Sequence, residues 1–257
     1  MPLVRALGPR SLSIRTVVGC LGLLASWLAC VPFAVAQQRV LPKNSIVADT
    51  ATADYKLRLY LSPIRVDSGY RLTPYSYSGA THVEQTVDFA ERTDSAHEPV
   101  VGVLARTIDT RNAVWFVSPA LAGPFELSGL FSGRLDLITN GQDFNFQISL
   151  YELRSNGDYA LISTYSSRPG ATAEPSNPPS LQPGVRQHLD YRSGPSPNRV
   201  IQHSSRLVAV ITILKHVEMQ TAYATGRDVS DGRIAYMKEP VKISWYGESY
   251  IELQVKR

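Results

Sequence analysis

FELSGLFSGRLDLITNGQDFNFQISLYELRSNGDYALISTY, residues 125–165, decides the fold. Leu135, Leu137 and Thr139 fall on one side of an extended chain, with Arg134 and Asp136 on the other. Phe144, Phe146, Ile148 and Leu150 then oppose Asn145, Gln147 and Ser149. Successive side chains of a strand point to opposite faces, so a period of two marks strands with one buried face. Asn156-Gly157 is expected to supply the two positive-φ residues of a tight hairpin turn, with Tyr159–Tyr165 returning as the partner strand. The stretch therefore reads as antiparallel sheet, and nothing in it resembles a reactive centre.

Upstream, Tyr55, Leu57, Leu59 and Leu61 alternate with Lys56, Arg58 and Tyr60. Ser68-Gly69 turns the chain into a short strand at Tyr70–Leu72, and Val83, Gln85, Val87 and Phe89 alternate again. Ala113–Val117 (AVWFV) is apolar throughout, which predicts a strand covered on both faces. Downstream, Pro169, Pro175, Pro178, Pro179 and Pro183 make residues 168–184 a long loop or a flexible insertion. Val185–Arg192 alternates, and Ser193–Arg199 is a second Pro-rich link. Arg206–Leu214 (RLVAVITIL) is the most apolar strand and belongs in the middle of a sheet. Ser230-Asp231 caps a short predicted helix reaching Lys238, although Gly232 weakens it. Val241–Tyr246 and Tyr250–Val255 form the last two strands. About ten short strands punctuated by turns predict an all-β protein, a jelly-roll (galactose-binding-like) β-sandwich spanning 50–257.

Residues 1–36 read as a signal peptide: Arg5, Arg10 and Arg15 without acids, an apolar run from Thr16 to Phe33, and the small-residue site Ala34-Val35-Ala36. Cleavage leaves a polar lead at 37–49, no stable membrane span and no cysteine, because both Cys20 and Cys30 lie in the leader. Neither cysteine has the flanks of a lipidation site. The expected location is the periplasm or the exterior of a bacterial cell envelope. The formal charge of +4 falls to near neutral once the leader's three arginines are removed, so the composition gives no argument for nucleic acid.

Catalytic chemistry is not found. Gly129-Leu130-Phe131-Ser132-Gly133 resembles the G-x-S-x-G elbow of α/β-hydrolases, but no helix follows, and a glycine-rich β-corner between two strands is the simpler reading. His82, His97, His188, His203 and His216 lack metal-ligand spacing. The aspartates in Gly226–Gly232 read as turn residues bonding local amides rather than calcium ligands. No catalytic, cofactor-binding or metal-binding residue is assigned, and no cofactor is expected. Trp245, Tyr246, Tyr250 and Ile251, close to a turn and expected to be only partly covered, are the candidate docking or ligand surface.

The stretches SPALAGPFELSGLFSGRLDL, DFNFQISLYEL and RLVAVITI, with the front part KLRLYLSP…GYRL…VEQTVDFA, resemble the C-terminal domain of Xaa-Pro dipeptidyl-peptidases and cocaine-esterase-like (CocE/NonD) serine hydrolases. The ending ATGRDVSDGRIAYMKEPVKISWYGESYIEL is similar to one secreted bacterial branch of that group. The resemblance implies a jelly roll that follows an α/β-hydrolase domain, in which the nucleophile, acid and histidine all reside. No position here matches those roles, so the expectation is a domain that is not an enzyme on its own. It would dock on a hydrolase domain encoded elsewhere, self-associate, or be the remnant of a split gene. A stand-alone carbohydrate- or ligand-binding jelly roll is the alternative, and an enzyme with unrecognised residues ranks third.

Overall fold

The computed structural model describes residues 55–67, 69–90, 101, 104–170, 180–195, 197–215, 223–226 and 239–256, and every regular element among them is a strand. In chain order these are β1 (Tyr55–Val66), β2 (Gly69–Thr73), β3 (His82–Val87), β4 (Leu104–Ala105), β5 (Ala113–Val117), β6 (Phe125–Thr139), β7 (Phe146–Leu153), β8 (Tyr159–Ser167), β9 (Gln187–Arg192), β10 (Arg199–Ile201), β11 (Arg206–Ile213), β12 (Val241–Tyr246) and β13 (Tyr250–Lys256). The predicted helix at Ser230–Lys238, the leader and the middle of the Pro-rich loop lie outside the described residues. The ends of that loop are held: Leu181 is buried and its N–H donates to the Gln142 carbonyl, and the Gly184 N–H donates to Thr139.

The spine of the first layer is β6. One of its edges carries β12 and β13 end to end, and the other carries β9 and β10. The predicted break at Gly129–Gly133 is corrected here: the backbone runs through it as one strand, with Ser132 paired to Glu252 and Arg192. Gly133 is required by close approach, because a Cβ there would collide with the Tyr250 carbonyl and the Tyr191 ring. The second layer runs β2-β5-β11-β7-β8-β4. Between the layers lies one core, to which β6 gives Leu135 and Leu137, β7 gives Phe146, Ile148 and Leu150, and β11 gives Ala209, Ile211 and Ile213. Each such aliphatic or aromatic side chain contributes roughly 1.5–3 kcal/mol by leaving water. The all-β sandwich expected from the alternation is the fold observed.

The two layers share β1. Its first half pairs with β13 and its second with β2, and the register shifts between Ser62 and Arg65. Pro63 within that shift has no N–H to give to a ladder, and the Ile64 N–H turns instead to the Ser62 hydroxyl. The β7–β8 hairpin also departs from expectation. Gly157 alone of the pair has positive φ (87°), the Gly157 N–H donates to Arg154, and the Arg154 N–H donates to Asp158. That is a type I turn closed by a left-handed glycine, a three-residue loop rather than a two-residue one.

Buried polar groups tie the layers at two places. Gln85 of β3 accepts from Trp245 Nε1 (2.8 Å) and donates to the Asn112 carbonyl (2.6 Å). Glu152 of β7 is fully buried; its Oε1 accepts from the Gln202 N–H and the Ser205 hydroxyl, both at 2.9 Å, while Arg154 and Arg199 face Oε2 at 3.4 and 3.8 Å.

Tyr191 makes a prediction about alkaline stability. Its hydroxyl donates to the Tyr250 carbonyl at 3.1 Å, and burial holds its pKa well above the ordinary tyrosine value. The unfolded chain releases this proton near pH 10 and the native protein does not, so the stabilisation is complete below pH 10 and lost above it. The loss runs at about 1.4 kcal/mol per pH unit. Tyr191→Phe removes that slope while costing about 1 kcal/mol at neutral pH through the missing hydrogen bond. Urea unfolding from pH 8 upward should show the two stability curves meeting near pH 11 (about one further unit of slope); parallel curves would refute the assignment.

Candidate functional site

Strand alternation divides the four residues expected to form a surface. Val241, Ile243 and Trp245 share the inner face of β12, and Ile251 is on the inner face of β13. Trp245 and Ile251 are each 1% exposed. The expectation that these two are partly covered surface residues is corrected: nearness to the Gly247 turn does not outweigh the parity of the strand. Tyr246 and Tyr250 point the other way, onto the outer face of the first layer, where Tyr246 is also buried (9% exposed) and Tyr250 is the one of the four that is partly covered.

There each tyrosine lies under an arginine. The Arg186 guanidinium sits 3.9 Å above the Tyr246 ring, with His82 against it on the neighbouring strand. Arg58 sits 4.2 Å above Tyr250. Arg186 bonds Asp136 (2.8 Å) and Glu248 (2.7 Å), and Arg58 bonds Glu252 (2.7 Å), which also takes Lys56 (2.8 Å). Hydrogen bonds from Lys56 and Arg58 hold the Glu252 pKa below its ordinary value. The bonds to Asp136 and to Glu252 raise the pKa of Arg186 and Arg58 respectively. Arg134 closes on Asp190 beside them. This face is an ion-pair lattice in which each of these arginines closes on a carboxylate.

The outer face of the second layer has a different chemistry, which sequence reasoning missed. Its geometry follows from register. Arg71 of β2 lies opposite Val117 of β5, which lies opposite Val208 of β11, then Tyr151 of β7 and Leu161 of β8, in one row across the sheet. A flanking row carries Trp115 and Val210, and another carries Arg206, Leu153 and Tyr159. Tyr151, Leu161, Val208 and Val210 form a second apolar cluster, separate from the sandwich core, with Trp115, Val117, Leu153 and Tyr159 half-buried around it. Tyr151 and Tyr159 meet edge to face at 6.4 Å, and burial raises the pKa of the Tyr151 phenol.

The apolar run Ala113–Val117 is therefore covered on one face only: Val114 and Phe116 are buried, and Trp115 and Val117 are not. At the β2 end of this face opens a cleft of about 420 Å³, whose lining includes Asp67, Arg71, Trp115, Tyr159 and Arg206. The Trp115 indole forms its wall by lying on Gly69, where a Cβ would come within 2.5 Å of Nε1.

Among the described residues neither face holds a recognisable nucleophile with a base beside it. Ser132 is mid-strand in β6 rather than on a strand-to-helix turn. Among the described residues no group of three or more His, Cys, Asp or Glu is placed to hold a metal, and no helix is long and apolar enough to cross a membrane.

Residues 42–192 match the family described as X-Pro dipeptidyl-peptidase C-terminal non-catalytic domain. No curated protein sequence matches the chain. Among solved structures, an α-amino acid ester hydrolase aligns at 20% identity and a TM-score of 0.58, covering 77% of this chain and 36% of its own. An aminopeptidase from a marine sediment Thaumarchaeota archaeon aligns at 12% identity and 0.60, with 79% and 37% covered. A CocE/NonD family hydrolase from Staphylococcus aureus aligns at 13% identity and 0.51, with the same coverage. At these identities the likeness is one of fold, and the chain spans little more than a third of the length of each of these proteins.

Proposed function

Since the chain belongs to the X-Pro dipeptidyl-peptidase C-terminal non-catalytic domain family, we propose that it is an exported β-sandwich that works by docking on an α/β-hydrolase domain. The observation that carries this reading is the family match itself, which covers more than half of the chain with a domain defined as non-catalytic. Two facts support it. The fold neighbours are hydrolases with much longer chains, and the outer face of the second layer leaves Trp115, Val117, Leu153 and Tyr159 half-buried around a covered apolar cluster. Export rests on the three leader arginines, the apolar run and Ala34-Val35-Ala36.

The product purified from the periplasm or medium should begin at Gln37. Chemical cross-linking of envelope extracts should join it to a protein with an α/β-hydrolase fold. Intact Met1 material in membranes would refute cleavage, and a monomer that cross-links to no hydrolase would refute docking. The second reading, a ligand-binding jelly roll, is favoured by the cleft walled by Trp115 and Tyr159. It would take the lead if the isolated chain retained a glycan on an array while capturing no hydrolase.

A further inference from the structure

We infer that the cleft beside Trp115 is where this domain receives its hydrolase partner, and that the partner brings an acidic segment to it. The inference rests on the docking reading and deepens it by naming the face and the chemistry. The first layer's outer face is a poor candidate. Arg58, Arg134 and Arg186 there each close on a carboxylate, so a partner would have to break existing ion pairs to make new ones. The second layer presents the opposite situation. Among the described residues the Arg71 guanidinium has no hydrogen-bond or ion-pair partner, and Arg206 spends one Nη1 bond on the Ser118 carbonyl (3.2 Å) and meets no carboxylate. Asp67 is the lone acid of the cleft, exposed on the β1–β2 turn, so two arginines face one carboxylate.

Those arginines flank half-buried Trp115 and Tyr159. Trp, Tyr and Arg are the residue types that dominate binding energy at protein interfaces, where a desolvated aromatic anchors and a guanidinium pairs with carboxylate in fork geometry. The position is set by the sheet: Arg71 extends the row Val117–Val208–Tyr151, and Arg206 begins the adjacent row of Leu153 and Tyr159. The centre of that apolar cluster is already buried (Tyr151 7% exposed, Val208 1%), so what a partner can still cover is its half-buried fringe of Trp115, Val117, Leu153 and Tyr159, with the two cations beside it as a charged rim. An acidic segment with an apolar flank would complete both parts.

The test uses the full chain, expressed in its native host, with a photo-cross-linking phenylalanine analogue in place of Tyr159 or, as a control, of Thr86, which is exposed on β3 of the other layer. An adduct with an α/β-hydrolase protein should form from position 159 with about tenfold greater yield than from position 86. Arg71→Glu combined with Arg206→Glu should lower that yield about tenfold, and Lys242→Glu should leave it unchanged. All three positions are exposed, so equal urea midpoints will establish that the variants are folded. A hydrolase adduct of equal or greater yield from position 86 would overturn the face assignment and leave docking itself intact. An adduct indifferent to the double charge reversal would overturn the acidic partner. No hydrolase adduct from either position would remove the docking reading and this inference together.

Discussion

Replacing Trp245 with alanine will destabilise the protein by about 3–5 kcal/mol. Among the described residues the indole is the largest fully buried side chain, in the core cluster with Ile243 and with Val83 and Leu137, which lie opposite it on the two flanking strands. The substitution also removes the donor that satisfies Gln85 Oε1, while the same amide's Nε2 stays bonded to the Asn112 carbonyl. Trp245→Phe separates the two effects. It keeps most of the packing and leaves the Gln85 oxygen unsatisfied, a loss of about 1–3 kcal/mol. Urea denaturation followed by far-ultraviolet circular dichroism measures both. A Trp245→Ala variant within about 0.5 kcal/mol of the parent, inside the range of ordinary surface substitutions, would show that the indole is not in the core.

Glu152→Ala is expected to cost about 3–5 kcal/mol, because it strips the partner from two arginines and two neutral donors at once. Arg154 and Arg199 keep part of their surface in water, which holds the value to the lower half of that range. Glu152→Gln retains an oxygen for the Gln202 N–H and the Ser205 hydroxyl while giving up the charge, so it should recover about half of the loss. Equal losses for the two variants would mean that the charge, rather than the two neutral hydrogen bonds, holds β10 and its link to β11 against β7. The two glutamate variants would be compared by the same urea titration at neutral pH.

Strands were legible wherever a residue's own parity decides its face. Leu135 and Leu137 and Phe146 to Leu150 alternate over enough positions to identify the buried side, and the apolar run Arg206–Ile213 marks a mid-sheet strand, which lies between β5 and β7; Val241 to Trp245 alternates too, but the nearby turn drew Trp245 to the wrong face. Elements held only by a distant partner were not legible. β10 lies at the end of a Pro-rich link and owes its three residues to pairing with Phe125–Leu127. β4 is two residues at the margin of β8.

The candidate surfaces show the same limit. Tyr246 and Tyr250 do face outward, but their arginine lids come from β9's approach and from β1, more than fifty residues away in sequence for each. Trp115 sits in a run so apolar that nothing in it distinguishes a covered face from a half-open one. Arg71 and Arg206 become neighbours of one cleft only because β2, β5 and β11 lie side by side. A cluster assembled across a sheet leaves no spacing in the chain.

The pairing of β1 with β13 sets the order in which this molecule can come into being. Tyr55 meets Val255, the two ends of the described chain, and β6 takes its long edge partners from residues beyond 240. Closing loops of that length precedes most of the hydrogen bonding it permits, which makes for slow folding. Until the last two strands arrive, β1, β3 and β6 present open edges at once, each a template for pairing with a neighbouring copy. A chain in synthesis therefore keeps these edges open until residues 241–256 have emerged, and shielding them over that interval protects its yield.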